Sequence, residues 1–329
     1  MKNILILSSL TLFVAAYPCA GQGPLTPPGP PGPTMHTLEE IYQRQATLEA
    51  TLETNQDAIE ARLEAIEQQG ASQVPEGMVL IPAGDFVMGD TFGEGYSDEL
   101  PVHSVTVRAF YMGETEVTKT QWDAVHGWAV TNGYAFENAG LGKAGNHPVH
   151  TVNWNDCVKW ANARSEMEGL SPCYLAETTT GTVYRAGDLV PTVDRYASGY
   201  RLPTEAEWEK AARGVDGRWF GWGDHLDPSW GCMADSHREV PLPAVVDSYP
   251  VDVSPFGLRG VAGNTYDWCL DLFDGVSPAV DNCVSPPKSA LQAPPRALRV
   301  ARGGAWHRTA RRARTAHRRR LEPAHRNSG

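Results

Sequence analysis

Residues 200–213 read Tyr-Arg-Leu-Pro-Thr-Glu-Ala-Glu-Trp-Glu-Lys-Ala-Ala-Arg. Thr204 can serve as an N-cap, and Glu207, three residues later, can reach back to the nitrogen of the cap, which is the pattern of a capping box. The pattern predicts a helix over Thr204–Arg213. A second helix is predicted over Trp154–Glu168, and clustered or alternating apolar residues predict strands over Val79–Ile81 and Val102–Val107.

Outside these elements, the sequence from residue 74 onward shows little helical periodicity. The chain has 329 residues, with 32 Gly, 25 Pro and 10 Trp. This composition predicts a domain rich in ordered loops and excludes a chain that is disordered throughout. The lack of repeated long apolar runs argues against a polytopic membrane protein. A loop-rich domain commonly needs disulfides or metal ions to hold its loops.

Five of the six cysteines lie beyond residue 20. Cys157 with Cys173, and Cys269 with Cys283, are the nearest pairs in sequence and therefore candidates for disulfides, which would leave Cys232 unpaired. Sequence alone does not fix this connectivity. No Cys-x-x-Cys motif occurs, so zinc ribbons and thioredoxin-like redox chemistry have no support.

The stretch at 200–213 belongs to a series of motifs. They include Met-Val-Leu-Ile-Pro-Ala-Gly-Asp-Phe-Val-Met-Gly at 78–89, Glu-Thr-Glu-Val-Thr at 114–118, His-Pro-Val-His at 147–150, Gly-Asn-Thr-Tyr-Asp-Trp at 263–268 and Arg-Gly-Gly-Ala-Trp at 302–306. In order and spacing, the series resembles the formylglycine-generating-enzyme family, also called the sulfatase-modifying-factor family. The resemblance implies one domain over residues 74–329 with an α+β, C-type-lectin-like fold and little regular secondary structure.

Members of that family oxidise a substrate cysteine with two active-site cysteines and copper, because soft thiolates suit Cu(I). The resemblance aligns the two cysteines with Arg308 and Ala313, and the serine of the Arg-Gly-Gly-Ser motif with Ala305. No cysteine follows Cys283. We therefore expect no copper cofactor and no cysteine oxidase activity.

Other chemistries have less support. A second branch of the superfamily forms C–S bonds with iron held by a His-x3-His-x-Glu site, but no histidine occurs between His36 and His103. His147 and His150 flank Pro148 and cannot share a helix face, so they are interpreted as structural polar residues. Neither P-loop nor Rossmann spacing is present, and no hydrolytic triad stands out.

Calcium is the cofactor that the resemblance implies. The predicted ligands lie in one loop and are Ala262, Gly263, Asn264, Thr265 and Asp267, because Ca²⁺ prefers backbone carbonyl and carboxylate oxygens. Asp267 stands where the family usually has Glu, and its reach is shorter. The alternative is that Asp267 only caps or hydrogen-bonds locally.

The C-terminal segment is strongly basic. Residues 296–329 contain eleven arginines and one acid, so this part carries +10 and the rest carries −21 of the total of −11. The acidic remainder would repel phosphate, and nucleic acid is not an expected partner.

In the family this segment lines the active-site cleft, and it also resembles the variable region of lectin-like proteins diversified by retroelements. A cationic cleft would suit carboxylate, sulfate or phosphate groups. Its predicted ligand-binding residues are Trp306, His307, Arg308, Arg311, Arg312, Arg314 and His317. The alternative is that several arginines pair with acids of the domain and stack on Trp or Tyr.

The N-terminal part predicts export. A basic start followed by an apolar run over residues 4–16 is typical of a signal peptide, assigned to residues 1–20. The run is too short to span a bilayer, so membrane attachment would require lipidation at Cys19, which stays open. Residues 21–36 are a Pro/Gly-rich spacer.

Residues 37–69 show apolar residues at alternating three- and four-residue steps with three polar interruptions, which predicts a coiled-coil stalk. A lone solvated helix or a helix that packs within the chain is the alternative.

These features predict a secreted, periplasmic or cell-surface protein, with a lipoprotein as one form. Its expected role is to bind an extracytoplasmic protein or anionic ligand, and residues 37–69 could form a homo-oligomer. The competing functions are a formylglycine-generating oxidase or other modifying enzyme acting on exported proteins, and a structural subunit of a surface assembly.

Overall fold

The computed structural model describes residues 39–40, 42–52, 56, 74–177, 181–237, 241–273 and 297–326. The chain divides into two units, residues 1–70 and 71–329. The predicted signal peptide, Cys19 and the Pro/Gly-rich spacer lie outside the described residues. None of the described helices is long and apolar enough to cross a membrane.

In the first unit, residues 39–40 and 42–52 are helical. Three large apolar side chains of this helix, Tyr42, Leu48 and Leu52, are more than half exposed. The rest of the predicted stalk is largely outside the described residues, so the coiled coil stays a prediction.

The second unit contains three helices and ten short strands in its described part. The helices are α1 (Lys119–Thr131), α2 (Trp154–Met167) and α3 (Glu205–Arg213). The strands are β1 (Met78–Ile81), β2 (Gly84–Met88), β3 (His103–Val107), β4 (Phe110–Gly113), β5 (Tyr174–Glu177), β6 (Thr182–Val183), β7 (Thr192–Val193), β8 (Asp267–Leu272), β9 (Arg299–Arg302) and β10 (Arg319–Leu321).

The predicted helices and strands are confirmed. α3 begins with the expected capping box, in which the Thr204 nitrogen donates to Glu207 Oε2 at 2.8 Å. Sequence analysis missed α1, although it begins with the same kind of cap: the Thr118 nitrogen donates to Gln121 Oε1 at 3.0 Å. The spacing of Thr118 and Gln121 was therefore a usable signal.

Four small antiparallel sheets carry the strands: β1–β4, β2–β3, β6–β5–β7 and β10–β9–β8. In the last sheet every residue of the central strand β9 is buried. Arg319 of β10 lies opposite Ala301, which lies opposite Trp268 of β8. This sheet leads directly into the Arg-Gly-Gly motif and so positions the basic segment.

Tryptophans from the three helices anchor separate parts of the core. Trp208 of α3 packs against Ile81 and Val300, while Trp154 of α2 donates from its indole to the Cys269 carbonyl at 2.9 Å. Trp122 of α1 stacks on a second indole of α2, with ring centres 5.6 Å apart. Helices and small sheets thus share one core, and the α+β class is confirmed.

The described cysteines are not in disulfides, which corrects the predicted Cys157–Cys173 pair. Cys157, Cys173, Cys232 and Cys269 are all free. The reason lies in packing: Cys157 and Cys173 belong to different apolar clusters, and Cys269 belongs to a third. The second candidate pair, Cys269 with Cys283, is not formed either, because Cys269 is free; Cys283 itself lies outside the described residues.

Candidate functional site

The turn after β9 is built from Gly303 and Gly304, both with φ in the left-handed region. A Cβ atom on Gly304 would lie 2.9 Å from the Arg312 carbonyl oxygen, a distance that real Cβ contacts do not show. Only glycine therefore fits here, because it tolerates positive φ and leaves space for the neighbouring backbone. The turn folds the basic segment back against the end of β9.

Acids from the Thr-Glu-Ala-Glu-Trp-Glu motif neutralise the buried arginines of this region. Arg302 contacts Glu205 at 3.2 Å and also forms an ion pair with Glu209, and Arg318 Nη2 donates to Glu205 Oε2 at 2.9 Å. Burial alone would raise the pKa of Glu209, but the guanidinium groups of Arg302 and Arg213 lower it. The two motifs that carry the resemblance are thus joined by buried ion pairs.

The predicted ligand-binding residues separate into buried and accessible sets. Arg314 is 4% exposed and His317 is 1% exposed. Burial and the nearby arginines lower the pKa of His317 to about 3, so its ring is neutral. Packing thus encloses both residues, and their predicted role in ligand binding stays a prediction.

Trp306 is also largely buried, whereas His307, Arg308 and Arg312 are partly exposed and Arg311 is exposed. The guanidinium carbon of Arg311 lies 4.5 Å from the centre of the Tyr96 ring. Arg312 lies over the same ring at 6.0 Å. The accessible part of the predicted site therefore consists of His307, Arg308, Arg311 and Arg312, of which the last two lie over Tyr96.

The two positions that the resemblance places opposite the family's catalytic cysteines, Arg308 and Ala313, have different surroundings. Ala313 is 1% exposed and packs in an apolar cluster with Phe220 and Met233. The Arg308 carbonyl accepts a hydrogen bond from the Ala234 nitrogen at 2.8 Å. The Nε of the Arg308 side chain is buried without a hydrogen-bond partner. Neither position offers a thiol.

The four described cysteines are buried or half-buried thiols. Burial raises the pKa of each thiol, to about 11 for Cys173 and for Cys232. In the metal-free protein all four are therefore protonated at neutral pH.

The predicted calcium loop uses several of its oxygen atoms in hydrogen bonds within the protein. Asn264 Oδ1 accepts from the Ala244 nitrogen at 3.1 Å, and the Asn264 carbonyl accepts from Trp306 at 2.9 Å. Asp267 Oδ2 accepts from the Trp208 indole at 2.9 Å. Among the described residues, no three Asp, Glu, His or Cys side chains are grouped to hold a metal ion.

Two buried carboxylates outside the predicted calcium loop were not predicted from the sequence: Glu116, which interacts electrostatically with both Asp267 and Asp252, and Asp252 itself. Both oxygens of Glu116 and the Oδ1 of Asp252 are buried without a hydrogen-bond partner. Burial, followed by repulsion from Asp267, raises the pKa of Glu116. Burial also raises the pKa of Asp252 to about 7 and that of Asp267 to about 6. No sequence spacing brings these three residues together, because they come from three separate loops or strand ends.

Comparison with known proteins agrees with this architecture. Residues 63–329 match the family described as the Sulfatase-modifying factor enzyme 1-like domain. The chain belongs to this family. The formylglycine-generating enzyme of Streptomyces coelicolor is 33% identical over 267 residues, covering 70% of this chain and 78% of that protein.

Two further relatives show how widely the domain is used. The chaperone protein LppX of Paenibacillus barcinonensis is 29% identical over 270 residues, covering 75% of this chain and 84% of that protein. The solved structure of Treponema denticola variable protein 1 has a TM-score of 0.58 and 27% identity, covering 76% of this chain and 91% of that chain. The sulfatase-modifying-factor fold thus extends over most of the second unit.

Proposed function

We propose that this sulfatase-modifying-factor domain binds an anionic group of an extracytoplasmic ligand or partner protein and does not oxidise cysteine. The observation that carries the proposal is the pair of residues at the aligned cysteine positions, the basic Arg308 and the buried Ala313. A copper site of the family type needs two thiolates at these places.

Unpaired positive charge supports a binding role. In the described part of the chain, three arginines of the basic segment have no ion pair with a carboxylate, in contrast to Arg302, Arg314 and Arg318: Arg308, Arg311 and Arg312. All three are at least partly exposed. Guanidinium groups bind carboxylate, sulfate and phosphate through charge-assisted hydrogen bonds, often in pairs.

The relatives support a change of function within one fold. One relative carries the name of an enzyme and another that of a chaperone, while both align over most of this domain. A shared fold leaves function to the residues of the site. The proposal also includes export of the protein, because residues 1–20 are predicted to be a signal peptide.

We also propose structural calcium beside the loop at 262–267. Support comes from the buried oxygens of Glu116 and Asp252 that have no hydrogen-bond partner, since uncompensated buried charge is costly. Glu116 and Asp267 would hold the ion, which would join the loops and supply no chemistry of its own.

The first test addresses catalysis. The full chain is incubated with copper, a reductant and a sulfatase-motif peptide containing cysteine, and the peptide is analysed by mass spectrometry. We expect no aldehyde product, beside conversion by the Streptomyces coelicolor enzyme as the positive control. Formation of the aldehyde would overturn the non-catalytic assignment.

The second test addresses binding. Sulfate, phosphate and a tetraglutamate peptide are titrated against the wild type and the double variant Arg308→Gln/Arg311→Gln. We expect the variant to bind at least one of these probes about tenfold more weakly, the effect of losing one charged hydrogen bond. Arg108→Gln, an exposed arginine outside the segment, is the matched control and should bind like the wild type. Absence of binding by all three probes would contradict the proposal.

A further inference from the structure

A pocket of about 50 Å³ lies beside β10. Its lining contains none of the residues first predicted to bind an anionic ligand, although the ring of His150 in the lining lies 5.3 Å from that of Trp306, centre to centre. Its lining includes His150, Tyr266, Trp268, Arg319, Leu321 and His325. A cavity of about 10–15 Å³ suffices for one water molecule. The pocket is therefore large enough for a group of a few heavy atoms.

Strand register explains why this pocket contains an arginine. Side chains alternate between the two faces of a strand, so Arg319 and Leu321 share one face of β10 and Arg320 points to the other. Arg319 lies in the same cross-strand row as Trp268. Arg320 is exposed, whereas Arg319 is partly buried and Leu321 is buried.

The pocket carries positive charge that nothing in its lining balances. Arg319 is the one charged side chain in the lining, and no Asp or Glu lines it. The guanidinium carbon of Arg319 lies 4.9 Å from the Tyr266 ring centre, and its Nε is buried without a partner. A buried donor without an acceptor is costly, so an acceptor from a ligand would be favourable here.

Two histidines add hydrogen-bonding capacity. The Nε2 of His325 is buried without a partner, and His150 Nδ1 lies 2.9 Å from the Thr151 hydroxyl. Burial lowers the pKa of His150, and burial together with Arg319 lowers the pKa of His325. Both rings are neutral at neutral pH, so Arg319 supplies the charge and the rings can supply neutral donors.

Most of the remaining lining is apolar. Val149, Val152, Leu321 and Trp268 form this part of the wall, and Thr151 and Thr265 complete it. A ligand that fits must therefore combine a small, planar anionic head with a short apolar stem. Carboxylate meets the first requirement, because its two oxygens match the fork of a guanidinium.

We propose that this pocket is a binding site for a carboxylate on a short aliphatic stem, held by Arg319 between the rings of Tyr266, His150 and His325. The site goes beyond the proposed function, which rests on the accessible arginines Arg308, Arg311 and Arg312. The two proposals can fail independently. The Arg308→Gln/Arg311→Gln variant tests the proposed function, and an Arg319 variant tests the pocket.

The test uses the full chain and two pairs of probes. Propionate and propionamide differ only in the carboxylate, and N-acetylvaline and its amide differ in the same way. Saturation-transfer NMR measures each affinity. We expect saturable binding of a carboxylate in the millimolar range or tighter, and at least tenfold weaker binding of its amide. Tighter binding of propionate would indicate a free small acid, whereas tighter binding of N-acetylvaline would indicate the C-terminus of a peptide.

Arg319→Gln should weaken carboxylate binding at least tenfold, because it removes the charge inside the pocket. Arg320→Gln is the matched control: it removes the same charge from the next residue, on the opposite face of β10, and should change binding less than twofold. The melting temperature of each variant reports its folding. Arg319→Lys, which keeps the charge and loses the planar fork, should bind more weakly than wild type and provides the measurement if Arg319→Gln is unstable.

Three results would overturn the proposal. The first is no saturable binding of either carboxylate in the millimolar range. The second is equal binding of acid and amide. The third is equal weakening by Arg319→Gln and Arg320→Gln, which would assign binding to the diffuse field of the basic segment.

Discussion

Arg314 and Glu99 form a buried, two-pronged ion pair across 215 residues of sequence, with N–O distances of 2.9 and 2.7 Å. Glu99 is fully buried and Arg314 is 4% exposed. The Arg318 guanidinium adds a hydrogen bond to the Asp98 carbonyl at 2.8 Å. The loop between β2 and β3 therefore covers the middle of the basic segment and neutralises one of its charges.

Loss of Arg314 should destabilise the domain severely. Arg314→Ala leaves Glu99 buried without its partner, and breaking a buried pair from one side costs about 3–5 kcal/mol. Urea unfolding of the variant measures the loss. Arg311→Ala is the control, because Arg311 is exposed and its stacking on Tyr96 contributes about 1 kcal/mol at most. Equal stability of Arg314→Ala and wild type would contradict this account of the segment.

Stability should fall as pH rises when no calcium is present. Asp252 is 1% exposed, its Oδ1 has no hydrogen-bond partner, and burial raises its pKa to about 7. The unfolded chain releases this proton near pH 4 whereas the native state keeps it, so stability decreases between about pH 4 and pH 7. At 1.36 kcal/mol per unit, a shift from 3.8 to about 7 corresponds to ~4 kcal/mol at most.

Asp252→Asn should reduce this dependence, because the amide carries no charge, whereas Glu116 and Asp267, whose pKa values are also raised, keep their contributions. Urea unfolding at pH 5 and pH 8, both in EGTA, compares the variant with the wild type. Asp247→Asn, at an exposed position close in sequence, should leave the difference between the two pH values unchanged. A wild type that is equally stable at pH 5 and pH 8 would contradict the prediction.

Calcium should raise the melting temperature, and more so at pH 8 than at pH 5. Metal ligands must be deprotonated, and burial raises the pKa of Asp267 to about 6. At 100 times its dissociation constant, a ligand specific for the native state adds about 2.7 kcal/mol. Calorimetry with Ca²⁺ or EGTA measures the shift, and Asp267→Asn should abolish it. Identical melting temperatures with and without Ca²⁺ would exclude this site.

The helix at residues 42–52 should associate with copies of itself. Leu48 and Leu52 lie in the predicted seam and are 70% and 62% exposed in the single chain. We expect sedimentation of the full chain to show an oligomer, and Leu48→Glu/Leu52→Glu to give a monomer. The control Thr47→Glu/Thr51→Glu places the same charges one position away from the seam. A monomeric wild type would favour the lone-helix alternative.

Local signals predicted the regular elements well. The capping box of Thr204 and Glu207 predicted the start of α3, and the same type of signal at Thr118 and Gln121 marks the start of α1. Such patterns are visible in sequence because their partners lie within one turn of helix. The disulfide prediction was wrong for Cys157 and Cys173, because proximity in sequence does not place two side chains in the same part of a core.

The roles of the arginines likewise depend partly on local sequence and partly on the tertiary structure. The sequence by itself determined the family, the α+β class and the concentration of positive charge after residue 296, since these depend on residue identity and local spacing. Only the tertiary structure decided which arginines form ion pairs with acids of the domain. Arg314 pairs with Glu99 and Arg302 with acids of α3, whereas Arg319 faces a pocket without an acid. The energy of a buried charge depends on partners that the fold brings from distant parts of the chain, and no local pattern records them.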